Sequence, residues 1–164
     1  MNNVKEYKFS YRELDDDSLL SGEDHLLLTK ARGVTAQAYA PYSNFYVGAA
    51  AKLVNGEIVA GTNQENASYP VGLCAERVLL ASASTLYPEV AIETMAISYH
   101  SGNGNSNQPI APCGMCRQSL QEYEMRVKKP IRLILAGLEG KIFVFEKASQ
   151  LLPLGFTSDD MSRG

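Results

Sequence analysis

The chain has few cysteines and histidines and no long apolar run. Its 164 residues contain three cysteines and two histidines. No apolar stretch approaches the roughly 20 residues that a membrane-spanning helix needs, and residues 1–5 lack the apolar core of a signal peptide. An odd number of cysteines also argues against a disulfide framework, which pairs cysteines in an oxidising compartment. Together these absences predict a cytoplasmic protein with no membrane segment.

Basic residues are not in excess either. The 15 Lys and Arg residues are outnumbered by 18 Asp and Glu residues, so the formal net charge is −3. A nucleic acid polymer normally requires a basic surface that neutralises its phosphates, and the charge balance therefore argues against such a partner. A hydrophobic content of 45% and a charged content of 20% are typical of a globular domain, and the length suggests a single one.

Helical and strand patterns alternate along the chain. Ser21 followed by Asp24 resembles a capping box and predicts a helix from Gly22 to Ala40, before Pro41. Asn55-Gly56 predicts a two-residue type I′ turn between strands over 46–54 and 57–61. Further helices are predicted over 73–86, over 114–123 and up to 152–153, and further strands over 91–98, 131–136 and 141–145. The order predicts an α/β fold, a three-layer α-β-α sandwich with a mixed sheet of about five strands. Residues 1–22 are predicted to be an N-terminal extension with one short helical piece, and residues 23–164 a single domain.

All three cysteines lie in two short segments, Cys74-Ala75-Glu76-Arg77 and Pro112-Cys113-Gly114-Met115-Cys116. Each segment lies where a helix is predicted to begin, and the partial positive charge of a helix N-terminus favours thiolate over thiol. Cys113 and Cys116 are three residues apart, so both can face one ion from a first helical turn. Cys74 would supply a third ligand from a second helix. The pattern therefore predicts a Zn²⁺ site with three sulfur ligands, about one ion per chain.

A fourth protein ligand is missing from this pattern. Structural zinc usually has four, but there is no fourth cysteine, and His25 and His100 lie far from the two segments. A vacant position is typical of catalytic zinc. Glu76, two residues from a ligand, would then move protons as base and acid. Arg77 would offset the negative charge of three thiolates by donating hydrogen bonds to the sulfurs.

Each part of the pattern has a simpler interpretation when taken alone. A Cys-x-x-Cys pair also fits a redox pair or half of a structural zinc site. Glu76 and Arg77 are each compatible with ordinary surface residues. The function follows from the joint pattern.

These residues resemble the zinc-dependent nucleoside deaminases, and most closely the cytidine deaminase family, in which three cysteines are an allowed set of zinc ligands and a glutamate acts as general acid and base. The resemblance covers roughly residues 25–162. Besides the cysteine segments it rests on residues 40–45, 61–69, 116–118 and 151–153. It implies hydrolysis of cytidine or deoxycytidine at C4 of the base, giving uridine or deoxyuridine and ammonia, as in pyrimidine salvage. The implied partner is a small nucleoside.

The resemblance also implies roles for residues around the base and the sugar. Phe45 would stack on the base, although a core Phe at a strand start is an equally good interpretation of this residue alone. The segment over 63–69 would read the ribose, with Asn63 and Glu65 as hydroxyl contacts and Asn66 and Tyr69 beside them. The backbone N–H of Ala75 would hold the base carbonyl.

The resemblance to family members with three cysteine ligands implies a homotetramer with its active sites at the subunit boundaries. Phe156 matches a position that reaches the site of a neighbouring subunit in such relatives. Two departures affect this region. Tyr46 replaces the proline that is more usual after the Phe, and Leu154-Gly155 alters the usual Pro-Gly-Ala-Phe order. These departures concern the shape of the substrate pocket and the interface between subunits, and not the chemistry.

Two alternative functions remain open. One is a deaminase of another aminopyrimidine nucleoside such as blasticidin S, which the segment from Asn63 to Asn66 disfavours. The other is a zinc-stabilised binding protein without catalysis, which would have no use for Glu76.

Overall fold

A mixed β-sheet is the frame of the fold. The computed structural model describes residues 3–161, and within that range the strands are β1 (Arg12–Leu14), β2 (Phe45–Leu53), β3 (Ile58–Thr62), β4 (Ile92–Ser101), β5 (Arg132–Ala136) and β6 (Ile142–Phe145). Their spatial order is β1-β6-β5-β4-β2-β3. β4 and β5 are parallel, and the other neighbours are antiparallel.

The sheet has one strand more than predicted. β1 comes from the segment predicted to be an extension, and it pairs with β6, Glu13 opposite Phe143. A three-residue strand is too short to show an alternating pattern, and its hydrogen-bond partner lies about 130 residues later in the chain. The short helical piece predicted there is a 3₁₀ turn over Asp17–Leu19. Residues 1, 2 and 162–164, the ends of the two predicted segments, lie outside the described residues.

Helices cover both faces of the sheet, as predicted. They are α1 (Gly22–Val34), α2 (Ala75–Leu86), α3 (Gly114–Val127) and the short α4 (Ser158–Met161) in the described part of the chain. α1 packs on one face, where Leu28 and Ala31 belong to a buried cluster with Ile134. α2 and α3 pack on the other face, where Leu79 and Leu120 belong to a larger core. None of the described helices is long and apolar enough to cross a membrane.

α1 begins as predicted but ends six residues early. The Ser21 hydroxyl accepts a hydrogen bond from the backbone N–H of Asp24 at 3.2 Å, which is the predicted cap. After Val34 the chain forms a 3₁₀ turn over Thr35–Gln37. Beyond it, the backbone N–H of Tyr39 donates to Asn63 O at 3.1 Å. This long-range pairing draws the last predicted helical residues into an extended conformation.

The hairpin between β2 and β3 turns at the predicted residues with a different geometry. Gly56 has φ of +90°, whereas Asn55 is not among the residues with positive φ. The N–H of Gly56 donates to Leu53 O at 3.0 Å. A four-residue turn from Leu53 to Gly56, whose last residue is a glycine in the left-handed conformation, is typical of a three-residue hairpin loop with a β-bulge. The predicted type I′ turn was therefore wrong.

A glycine lets α2 lie close to the sheet. A Cβ atom on Gly61 would lie 2.6 Å from Ala75 O and from Leu79 N. Both are backbone atoms of α2, so a side chain here would push the helix away from β3. Gly61 thus sets the distance between β3 and the start of α2, where Cys74 and Glu76 lie.

A buried carboxylate fixes the other end of α3. Glu124 is 5% exposed, and its two oxygens accept hydrogen bonds from three backbone N–H groups, Ile131 at 2.7 Å, Ala148 at 2.9 Å and Ser149 at 3.2 Å. These donors lie just before β5 and in the turn after β6. Glu124 therefore joins three segments that are separate in sequence.

Candidate active site

The three cysteine sulfurs meet between the N-termini of α2 and α3. Sγ of Cys113 lies 3.7 Å from Sγ of Cys74 and 3.5 Å from Sγ of Cys116, and all three lie within 4.8 Å of one another. Zinc–sulfur bonds of about 2.3 Å in a tetrahedron place sulfurs about 3.8 Å apart. A disulfide would need about 2.05 Å, and all three cysteines are free. The donor set therefore fits a zinc ion.

Local structure explains why these sulfurs converge. Cys74 is the N-cap of α2 and Cys113 is the N-cap of α3, and neither cap has a side-chain hydrogen bond to its helix. Both side chains are thus free to point away from their helices toward the same position. A hydrogen bond from the Cys116 thiol lowers the pKa of Cys74 to about 6, although burial and the charge of Glu76 act against it. Thiolate, the form that binds metal, is therefore favoured at Cys74.

Glu76 lies in the first turn of α2, on the same cavity as Cys74 and Cys113. It is 5% exposed. Burial raises the pKa of Glu76, and its own backbone N–H and the Cys116 thiol act in the opposite direction. A carboxyl group with a raised pKa beside a metal position is suited to accept a proton and return it.

One cavity of about 380 Å³ collects most of the predicted site. Its volume lies within the range of small-molecule sites. The predicted residues that line it are Phe45, Asn63, Glu65, Tyr69, Cys74, Ala75, Glu76 and Cys113. These eight residues come from β2, from the segment after β3, and from the starts of α2 and α3.

Four predicted residues lie outside this cavity. Cys116 is fully buried and contributes its sulfur to the cluster. Asn66 lines an adjoining cavity, and its side chain accepts from Ser68 N at 2.8 Å. Phe156 is 59% exposed, with its carbonyl held by Gln118 at 2.8 Å.

Arg77, the fourth, lines another cavity, between α2 and α3. Among the described residues it makes no hydrogen bond to a cysteine sulfur. Its charge nevertheless contributes to lowering the pKa of Cys74, as the last of the causes that act there. The structure therefore gives Arg77 an electrostatic influence on the cluster without a direct donor contact.

Asn63 and Glu65, the predicted sugar contacts, are also bonded to the chain around Phe45. The Asn63 side chain donates to Phe45 O at 2.8 Å and accepts from Val47 N at 2.7 Å. Glu65 accepts from the hydroxyl of Ser43 at 2.5 Å. This hydrogen bond lowers the pKa of Glu65, and burial offsets only part of that lowering. The group is therefore ionised at neutral pH. Each side chain keeps some hydrogen-bonding capacity for a ligand.

Two residues of this site were missed from the sequence. Tyr99, on β4, stacks its ring 4.8 Å from that of Phe45, so it supports one face of an aromatic ring that also lines the cavity. No sequence signal could identify Tyr99, because the contact depends on the register that places it opposite Val47. Ser43 lies inside the segment over 40–45, whose sequence pattern predicted no role for its hydroxyl.

The comparisons with known proteins agree with this geometry. The family model for the cytidine and deoxycytidylate deaminase zinc-binding region matches residues 21–131. A cytidine deaminase of Halalkalibacterium halodurans is 36% identical over 137 residues, 84% of this chain and 96% of that protein. One from Mycobacterium tuberculosis is 34% identical over 142 residues, 85% of this chain and 93% of that protein.

A solved structure extends the likeness to three dimensions. The crystal structure of cytidine deaminase from Burkholderia pseudomallei matches with a TM-score of 0.70 and 38% identity, over 80% of this chain and 98% of that one. The family match spans more than half of the chain and includes all three cysteines. The chain therefore belongs to the cytidine and deoxycytidylate deaminase family.

Proposed function

We propose that this protein hydrolyses cytidine or deoxycytidine to uridine or deoxyuridine and ammonia, a reaction of pyrimidine salvage. The observation that carries the proposal is the shared cavity of the sulfur cluster and Glu76. Three sulfurs at tetrahedral spacing leave one position for solvent, and a buried carboxyl group with a raised pKa lies beside it. A non-catalytic zinc protein would have no need of that second feature.

Cys74, Cys113 and Cys116 would hold the metal, about one zinc ion per chain. Bound there, zinc supplies a Lewis acid that makes water nucleophilic at neutral pH. Glu76 would take one proton from the attacking water and deliver it to N3 of the base. It would then take the second proton from the hydroxyl newly added at C4 and deliver it to the amine, which leaves as ammonia while C4 becomes a carbonyl. Arg77 moderates the negative charge of the three thiolates from a distance.

The remaining cavity residues would orient the nucleoside. Phe45, supported by Tyr99, stacks on the base, and the N–H of Ala75 at the start of α2 holds the base carbonyl. Ala75 is the first residue of α2, where a backbone N–H has no partner within the helix. Asn63 and Glu65 bind sugar hydroxyls, flanked by Asn66 and Tyr69. The carboxylate of Glu65 would repel a phosphate group in the same place, which favours nucleosides over nucleotides.

Assembly and location complete the proposal. We infer a homotetramer in which Phe156 reaches a neighbouring site, a role that its exposed ring supports. We propose that residues 1–22 are an N-terminal extension and that residues 23–164 form the catalytic domain. From the sequence pattern we also propose a cytoplasmic location. Light scattering of the active protein tests the assembly, because a fully active monomer would exclude a shared site.

Loss of ultraviolet absorption on deamination tests the reaction. The panel is cytidine, deoxycytidine, cytidine monophosphate and blasticidin S, and we expect turnover of the first two. Glu76→Gln should abolish turnover while zinc content stays near one per chain, and Glu139→Gln, an exposed glutamate in the β5–β6 turn, is the matched control. Cys113→Ala should lose the metal. Activity retained in Glu76→Gln, or turnover of blasticidin S alone, would contradict the proposal.

A further inference from the structure

The hydroxyl of Ser43 connects two parts of the proposed nucleoside pocket. It donates to Oε1 of Glu65 at 2.5 Å and accepts from the backbone N–H of Phe45 at 3.1 Å. A hydroxyl has one donor and two acceptor positions, so both hydrogen bonds can form together. The carboxylate assigned to the sugar and the first residue of β2, assigned to the base, are therefore joined through one side chain.

The orientation of Glu65 depends on this hydroxyl. Its Oε2 accepts from the backbone N–H groups of Tyr42 at 2.9 Å and Ser43 at 3.3 Å. Those two bonds hold one oxygen only. The Ser43 hydroxyl fixes the other oxygen, Oε1. The three hydrogen bonds together occupy three of the about four acceptor positions of the carboxylate, which leaves one position on Oε1 for a ligand hydroxyl.

The loop that carries Ser43 is also held by contacts that do not involve Glu65. Asn44 has φ of +53°, a left-handed conformation that asparagine tolerates. Its carbonyl accepts from Gly102 N at 2.8 Å, and the Asn103 side chain donates to Ser43 O at 3.2 Å. The loop after β4 thus supports Ser43 from behind. Ser43 thus has supports besides the two backbone hydrogen bonds to Glu65, and its hydroxyl is held where it can position Oε1 of that carboxylate.

We infer that Ser43 is a positioning residue, whose hydroxyl sets Oε1 of Glu65 relative to the ring of Phe45 and so aligns the sugar end of the pocket with the base end. The inference rests on the proposed function, because it assigns these two residues to a nucleoside. Ser43 is not among the described residues that line the cavity of Cys74, Cys113 and Glu76, so its removal should weaken substrate binding and leave the chemical step intact.

Steady-state kinetics on cytidine test the effect on substrate. In Ser43→Ala we expect KM to rise about tenfold with kcat changed by less than about twofold, since one hydrogen bond to a charged group is lost away from the reacting atoms. Ser43→Thr keeps the hydroxyl on an exposed side chain and should restore KM. Ser18→Ala is the matched control, because the hydroxyl of this exposed serine also donates to a carboxylate, Asp16, at 2.5 Å.

A double-mutant comparison tests whether Ser43 acts through Glu65. Introduced into Glu65→Ala, the Ser43→Ala change should alter kcat/KM by less than about twofold, because its partner is already gone. An unchanged KM in Ser43→Ala, or an equal loss in both backgrounds, would overturn the inference.

Amide hydrogen exchange tests the connection without any turnover. The N–H of Phe45 donates to the Ser43 hydroxyl, so its exchange should accelerate about tenfold in Ser43→Ala and stay unchanged in Ser18→Ala. If the native protein fails to deaminate cytidine, the proposed function is wrong while this measurement still decides the connection. Unchanged exchange at Phe45 would refute it.

Discussion

Glu124 offers the sharpest test of how the fold supports the site. Its carboxylate accepts three backbone hydrogen bonds in a buried position, from Ile131, Ala148 and Ser149. Glu124→Gln keeps the shape but leaves one acceptor oxygen. That oxygen can still accept from Ile131 and Ala148, whereas the new NH₂ group would face the N–H of Ser149, a contact between two donors.

The cost follows from the change in hydrogen bonds. Two bonds lose their charge assistance and the third becomes repulsive, while the neutral side chain is easier to bury than the carboxylate. With bonds to charged groups contributing about 1.5–3 kcal/mol and neutral ones about 1 kcal/mol, we expect a net loss of about 3 kcal/mol. For a chain of this length that corresponds to a fall in Tm of roughly 6–12 °C.

Urea unfolding and thermal melting measure the loss, with Glu122→Gln, an exposed neighbour on α3, as the control. The control should stay within about 0.5 kcal/mol of the native protein. A loss below about 1 kcal/mol in Glu124→Gln would refute the reasoning, because it would mean that the three hydrogen bonds do not hold these segments together.

Three further changes have expected outcomes. Gly61→Ala should destabilise by about 1–3 kcal/mol and reduce zinc content, because its Cβ would meet the backbone of α2; Gly33→Ala, which has open space in α1, should do neither, and normal zinc binding by Gly61→Ala would contradict the packing argument. Leu154 is fully exposed with φ of +56°, so Leu154→Gly should leave Tm unchanged or raise it slightly, and a clear fall would indicate a contact of this side chain. Burial raises the pKa of Asp24, but the hydrogen bonds and charge of Arg132, together with smaller effects of Ser21 and Arg12, lower it by more. Asp24→Asn should therefore be less stable than the native protein at pH 7, and the difference in urea unfolding should shrink as the pH falls below about 4 and through the lowered pKa.

The predictions from the sequence succeeded where a short segment carries the information. The cap of α1 at Ser21 depends on residues three apart, and the convergence of Cys113 and Cys116 depends on one helical turn. The three-layer architecture followed from the alternation of elements. Errors came where distant segments interact. β1 exists because β6 offers it hydrogen bonds, and α1 ends early because Tyr39 pairs with Asn63. The hairpin at Asn55 is a local exception, in which only Gly56 takes the left-handed conformation that a type I′ turn requires of both central residues.

The candidate site divides along the same line. The spacing of the cysteines and the position of Glu76 two residues after Cys74 predicted the kind of chemistry, since ligand type and first-turn geometry are local properties. The tertiary structure decided which side chains share the cavity. It placed Tyr99 behind Phe45 and Ser43 against Glu65, and it placed Arg77 on a separate cavity. Those contacts join strands, loops and helix starts from distant parts of the chain, and a linear sequence contains no measure of such distances until the sheet register and the approach of α2 at Gly61 are known.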